Sequence, residues 1–183
     1  MISNIVQKIP QFKIDKSKAL NFFKEYGFHV EHAVYSEDEC DSLIKQSFNF
    51  KNFINTTYIP EQQIHKKNKI AMDMMKKDKV VDIIKKFASN SNEMFGIQST
   101  FFYGVPGTSG SASHQNGLCV KPGDANGFIS AWTPLVDLDD HKMGNLYVYE
   151  KSHMDGDLKV VEKKHHNATF QNEGLAKYES VLK

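Results

Sequence analysis

The sequence predicts an α+β protein with a mainly antiparallel sheet, and three observations predict it. Helical periodicity dominates the first half of the chain. After Phe95-Gly96 the pattern changes to short β-rich runs punctuated by Gly and Pro. Helices first and strands after, without βαβ alternation, is the order of an α+β domain. At 183 residues and 20.9 kDa, 1–183 is expected to form a single domain with one sizeable core.

Residues 16–26 read as a helix with Ala19, Phe22 and Phe23 on one face and Gly27 as its stop. Residues 28–34 alternate apolar and polar and are expected to be a short strand. Ser36 followed by Glu39 has the capping-box form and opens a helix through Leu43, Ile44 and Ser47. From 64 to 86, lysines surround Ile70, Met74, Met75, Val80, Val81, Ile84 and, just beyond, Phe87, the pattern of one amphipathic helix or two with lysines facing water. Residues 97–103 (IQSTFFY) are β-rich and run into a turn at 104–107. A second strand is expected at 127–135, bent or at an edge because of Pro134, and a third at 146–150, where Leu146 and Val148 alternate with tyrosines. These three strands are expected to share one sheet. The polar stretch 153–172 reads as loop, and 173–182 as a terminal helix.

Net charge is +1, from 23 basic and 22 acidic residues, which commits the molecule neither to nucleic acid nor to an anionic membrane. The lysine-rich 64–86 stretch is the one feature that suggests a nucleic-acid module, and Asp73, Asp78 and Asp82 interleaved in it weaken the field that role needs. Every basic residue is lysine, so a bidentate arginine grip on a carboxylate is unavailable in these 183 residues. Cys40 and Cys119 follow no metal or disulfide spacing and suit ordinary thiols in a reducing compartment. The N-terminus lacks the apolar core of a signal peptide and no run approaches a membrane span, so a soluble cytoplasmic protein is expected.

The residues that could carry chemistry are His114 and Asn116. Two apart on an extended segment, they project to the same side. A facial iron site uses that spacing: one strand supplies two adjacent ligands, a distant histidine the third, and three positions stay open. Two plainer readings stand beside this one, His114 as a loop histidine and Asn116-Gly117 as a tight-turn pair.

The surrounding order is Pro106-Gly107, His114-Gln115-Asn116, residues 128–135 around the single Trp132, Gly144-Asn145-Leu146, and Ser152-His153. Upstream stands GFHVEHAVYSEDECDSLI, from Gly27 to Ile44. This framework resembles the phytanoyl-CoA dioxygenase family over most of 27–153. The resemblance implies N-terminal helices packed on a double-stranded β-helix of the jelly-roll or cupin kind, incomplete in this chain. It implies an iron(II)/2-oxoglutarate-dependent oxygenase, with Fe(2+) as metal and 2-oxoglutarate as cosubstrate. In that chemistry dioxygen is consumed, 2-oxoglutarate becomes succinate, and a C–H bond of a small-molecule or acyl substrate is hydroxylated. His114 and Asn116 are then the catalytic metal positions, Gln115 and Trp132 lie beside the cosubstrate, and His153 belongs to a structural or substrate-side turn.

The sequence departs from that family in two places. Asn116 stands where the family has aspartate, replacing a full negative charge with an amide dipole. The family's second iron histidine and its basic 2-oxoglutarate anchor are expected beyond Lys183, the chain then being roughly the first two-thirds of the protein. Within the chain the substitutes are Asp124 in a turn, His165 and His166, and Lys177. The alternative function is accordingly a non-catalytic double-stranded β-helix binding protein, or pseudoenzyme, that has lost the iron site.

Overall fold

The structure, a computed structural model, describes residues 8–47, 53–54, 57–58, 60–88, 94–103, 113–116, 128–138, 144–165 and 168–172. Helices and short antiparallel strands make it an α+β protein, and the chain divides into two compact units. The first comprises 1–32, 109–131 and 140–183; the second comprises 33–108 and 132–139.

In the first unit, helix α1 (Lys16–Tyr26) starts at Asp15, whose Oδ1 accepts the amides of Ser17 at 3.1 Å and Lys18 at 2.9 Å. The Lys18 amide in particular holds the Asp15 carboxyl below its usual range. The helix ends at Gly27, at φ +82°, whose N–H bonds the Phe23 carbonyl at 2.8 Å. Phe22 and Tyr26 of α1, with Val30 and Val148, pack on the buried Ile9 and Phe28, and the Phe22 and Tyr26 rings stack at 4.5 Å.

No strand forms over 28–34. The alternation is real, but its backbone is held by side chains: Gln11 Nε2 donates to the Val30 carbonyl, and the His32 amide donates to Gln11 Oε1. Ala33, at φ +51°, then breaks the extension.

In the second unit, α2 (Glu37–Ser47) opens with the expected reciprocal cap: Glu39 N–H to Ser36 Oγ at 3.2 Å and Ser36 N–H to Glu39 Oε2 at 2.8 Å. Strands β1 (Phe53–Ile54) and β2 (Thr57–Tyr58) form one ladder, and β3 (Glu61–Gln62) begins another. The 64–86 stretch divides into a 3-10 turn (Ile64–Lys66), α3 (Lys69–Met75) and α4 (Asp78–Phe87). Asn68 caps α3 through its Oδ1 and donates from Nδ2 to Ser47 Oγ at 3.2 Å, tying α2 to α3. Leu43, Ile64, Ala71, Met74, Phe101 and Tyr103 make the core, with Tyr35, Ile44, Ile70 and Leu135 against it.

Of the expected strand 97–103, only β4 (Thr100–Phe101) pairs, antiparallel to β3. Its alternation survives, since Phe101 and Tyr103 are buried and Phe102 between them is exposed. The strands expected at 127–135 and 146–150 do not form: 128–135 is irregular or bent, 146–148 is irregular, and only Tyr149 makes an isolated bridge. The expected loop 153–172 instead contains a 3-10 turn (Ser152–Asp155) and an antiparallel pair, β5 (Val160–His165) with β6 (Ala168–Asn172). Val160-Val161 and Thr169-Phe170 are β-favouring residues set among charged residues and histidines. Described strands thus pair in three two-stranded ladders. The turn 104–107 and helix 173–182 lie outside the described residues.

Candidate functional site

The His114-x-Asn116 segment is fixed by the residues around the histidine. Ser113 Oγ lies 3.1 Å from the Tyr149 hydroxyl. Gln115 Nε2 donates to the Gly156 carbonyl at 3.0 Å, while its Oε1 accepts the Leu158 amide at 2.9 Å. One carboxamide thereby satisfies a C=O and an N–H two residues apart, as a neighbouring strand would. On either side of Gln115, His114 and Asn116 are exposed.

The segment that receives Gln115 is anchored in turn. Lys151, at φ +62°, donates its amide to the Tyr26 carbonyl at 2.9 Å, and its ammonium lies 4.9 Å over the Tyr26 ring. His153 Nε2 lies 2.8 Å from the Lys24 carbonyl. Two of the last carbonyls of α1 are satisfied by this meeting of chain segments, and Gly27 N–H satisfies a third, that of Phe23, within the helix's own cap. Gly27 is required twice over, by its left-handed backbone and because a Cβ there would overlap His153 Nδ1. His153 is therefore a helix-terminal contact.

His114, Gln115 and Asn116 belong to the first unit, and Trp132, at 45% exposure, to the second. Among the described residues no group of three or more His, Cys, Asp or Glu could hold a metal ion. The 114–116 pair offers one imidazole nitrogen and one neutral amide oxygen. That donor set alone does not fit a resident iron(II), which calls for a third ligand and a carboxylate charge. Of the substitutes, His165 lies in β5, while Asp124, His166 and Lys177 fall outside the described residues, as does Cys119. Cys40 is a free thiol, and burial with Glu39 and Asp41 nearby pushes its pKa up, which disfavours the thiolate.

Two polar pairs went unmarked in the sequence. His29 Nε2 lies 3.1 Å from Glu31 Oε2, both side chains being buried. Buried His65 places Nδ1 2.6 Å from Ser99 Oγ, which also accepts the His65 amide at 3.0 Å; the serine fixes the ring and the turn before α3. The i, i+2 spacing of His29 and Glu31 was the available signal for the first pair; His65 and Ser99, far apart in sequence, gave none.

No family model, curated protein or solved structure matches the chain. No helix among the described residues is long and apolar enough to cross a membrane.

Proposed function

We propose that the chain is built on the helix and double-stranded β-helix plan of the phytanoyl-CoA dioxygenase family and is an iron(II)/2-oxoglutarate-dependent dioxygenase of the cytoplasm, acting on a small-molecule or acyl substrate. The observation that carries this reading is the ordered framework from Gly27 through His114-x-Asn116 and Trp132 to Ser152-His153. The backbone clamped through Gln115, with His114 and Asn116 solvent-exposed on either side of it, supports the reading, because a ligand pair needs a fixed backbone. Fold analogy supplies the reaction class and no more. No step through iron is drawn from the donors present.

A second reading, a non-catalytic binding protein on the same plan, is favoured by Asn116 in the carboxylate position and by the absence of arginine from the 183 residues. Incubating the purified chain with iron(II), 2-oxoglutarate and dioxygen separates the two. The oxygenase reading expects binding of 2-oxoglutarate that requires iron(II) and is lost in His114→Ala, with little or no succinate from the two donors present. Binding of 2-oxoglutarate indifferent to iron(II) and to His114→Ala favours the second, and no binding overturns both.

A further inference from the structure

Asn116 leaves the His114-x-Asn116 pair short of the carboxylate charge that iron(II) calls for, and the residue after it is Gly117. Asn116 is exposed, and it directly follows Gln115, which is clamped to Gly156 and Leu158. Asparagine is a chemically labile residue, and a following glycine makes it more so: with no Cβ, glycine leaves its own backbone nitrogen unshielded and its peptide free to reach the geometry of ring closure.

The chemistry balances with water alone. The Gly117 nitrogen attacks Asn116 Cγ, the Cγ–Nδ2 bond breaks, and ammonia leaves carrying the proton of the attacking amide. The cyclic imide then takes up water. Opening at the bond from Cγ to the Gly117 nitrogen gives aspartate, and opening at the main-chain carbonyl gives isoaspartate. Nothing is oxidised or reduced, and the exposure of Asn116 admits the water. Asn68 is the opposite case: its Oδ1 accepts the Ile70 and Ala71 amides at 2.9 and 3.2 Å, its Nδ2 donates to Ser47 Oγ at 3.2 Å, and lysine follows it.

We propose that Asn116-Gly117 is a self-modifying site, where loss of ammonia converts the encoded amide into a carboxylate two residues from His114 and turns a weak donor pair into a histidine–carboxylate pair for a divalent cation. The metal half of this inference rests on the oxygenase reading; the modification itself does not. The aspartyl product keeps the ordinary main chain beside the Gln115 clamp, whereas isoaspartate reroutes it through the side-chain carbon. The chain's other Asn-Gly pair, Asn126-Gly127, lies outside the described residues and has Asp124, not histidine, two positions before it.

The test ages the purified chain at neutral pH and physiological temperature. Peptide mapping by mass spectrometry scores asparagine, aspartate and isoaspartate at each position, and manganese(II) titration follows the same samples. Asn116 should deamidate at least severalfold faster than Asn68. Gly117→Ala should slow it severalfold; should that variant not fold, Asn116→Gln, which keeps an amide but must close a larger ring, gives the same comparison. The aspartyl form should bind manganese(II) between about fivefold and a hundredfold tighter than the unaged chain, the scale of a charge-assisted contact. His114→Ala should remove that gain and leave the deamidation. An Asn116 that persists as long as Asn68, while Asn116→Asp binds manganese(II) more tightly, overturns the inference and leaves the oxygenase reading standing. Deamidation with no gain in affinity, in the aged chain or in Asn116→Asp, overturns the oxygenase reading and with it the metal half of the inference.

Discussion

The cluster around α2 and α3 and the junction around Gln115 are held together by opposite means. The first buries Leu43, Ile64, Ala71, Met74, Phe101 and Tyr103 against one another. The second is tied by Gln115 to Gly156 and Leu158, Ser113 to Tyr149, Lys151 to Tyr26 and His153 to Lys24. Apolar burial is strong and indifferent to direction, whereas single hydrogen bonds contribute little net energy but demand particular atoms. The cluster should therefore govern whether its unit folds, and the junction how residues 113–116 are presented.

The largest expected effect breaks the cluster. Phe101→Ala should cost about 3–5 kcal/mol, since a buried ring is lost and a cavity left behind. A denaturant midpoint that barely moves would mean the core lies elsewhere. Next comes Gly27→Ala in the junction: the left-handed backbone alone costs about 1–2 kcal/mol, and His153 must move from Lys24 to admit the methyl. Thermal unfolding gives the cost, and an upfield or downfield change in the His153 ring signals shows the displacement; a Tm equal to the parent's would contradict the assigned geometry.

Smaller still is Gln115→Leu, expected to cost about 1 kcal/mol because both contacts are near solvent. Its distinguishing result is local: faster exchange at the Leu158 amide, with α2 and α3 unchanged. The smallest effect sharpens the cluster's polar rim. Lys77 bonds both Glu39 oxygens, at 2.6 and 2.5 Å, and this contact, with the Ser36 amide, holds the Glu39 carboxyl below its ordinary 4.5. The lowered folded pKa makes that contribution present above pH 4.5 and lost as pH falls through the folded value. Lys77→Ala should flatten the acid limb of the stability curve slightly, the partners being solvent-accessible.

The helices were legible because their signals lie within four residues of the ends they mark. Gly27 stops α1 and Ser36 with Glu39 opens α2 as read, although Asp15, the N-cap of α1, and Asn68, the N-cap of α3, were passed over. Strands depend on a partner that no local pattern names. Phe28 to Val34 alternates like a strand but is held by the Gln11 side chain and, through its own Glu31, by the Phe12 amide, and Leu146 and Val148 alternate in an irregular stretch; Val160 to Asn172 pairs despite its charge. At the candidate site, the sequence marked His114 and Asn116 but not that Gln115 between them bonds backbone at 156 and 158, a contact across more than forty positions.

Position 116 bears most directly on the oxygenase reading. Calorimetric titration with manganese(II), a redox-quiet stand-in for iron(II), would compare the parent chain, Asn116→Asp, and Asn116→Asp combined with His114→Ala. If 114 and 116 are metal positions, restoring the carboxylate tightens binding by about 1–3 kcal/mol, the scale of a charge-assisted contact, and removing His114 abolishes that gain. Equal affinities for the parent chain and Asn116→Asp, or a gain that survives the loss of His114, would contradict it.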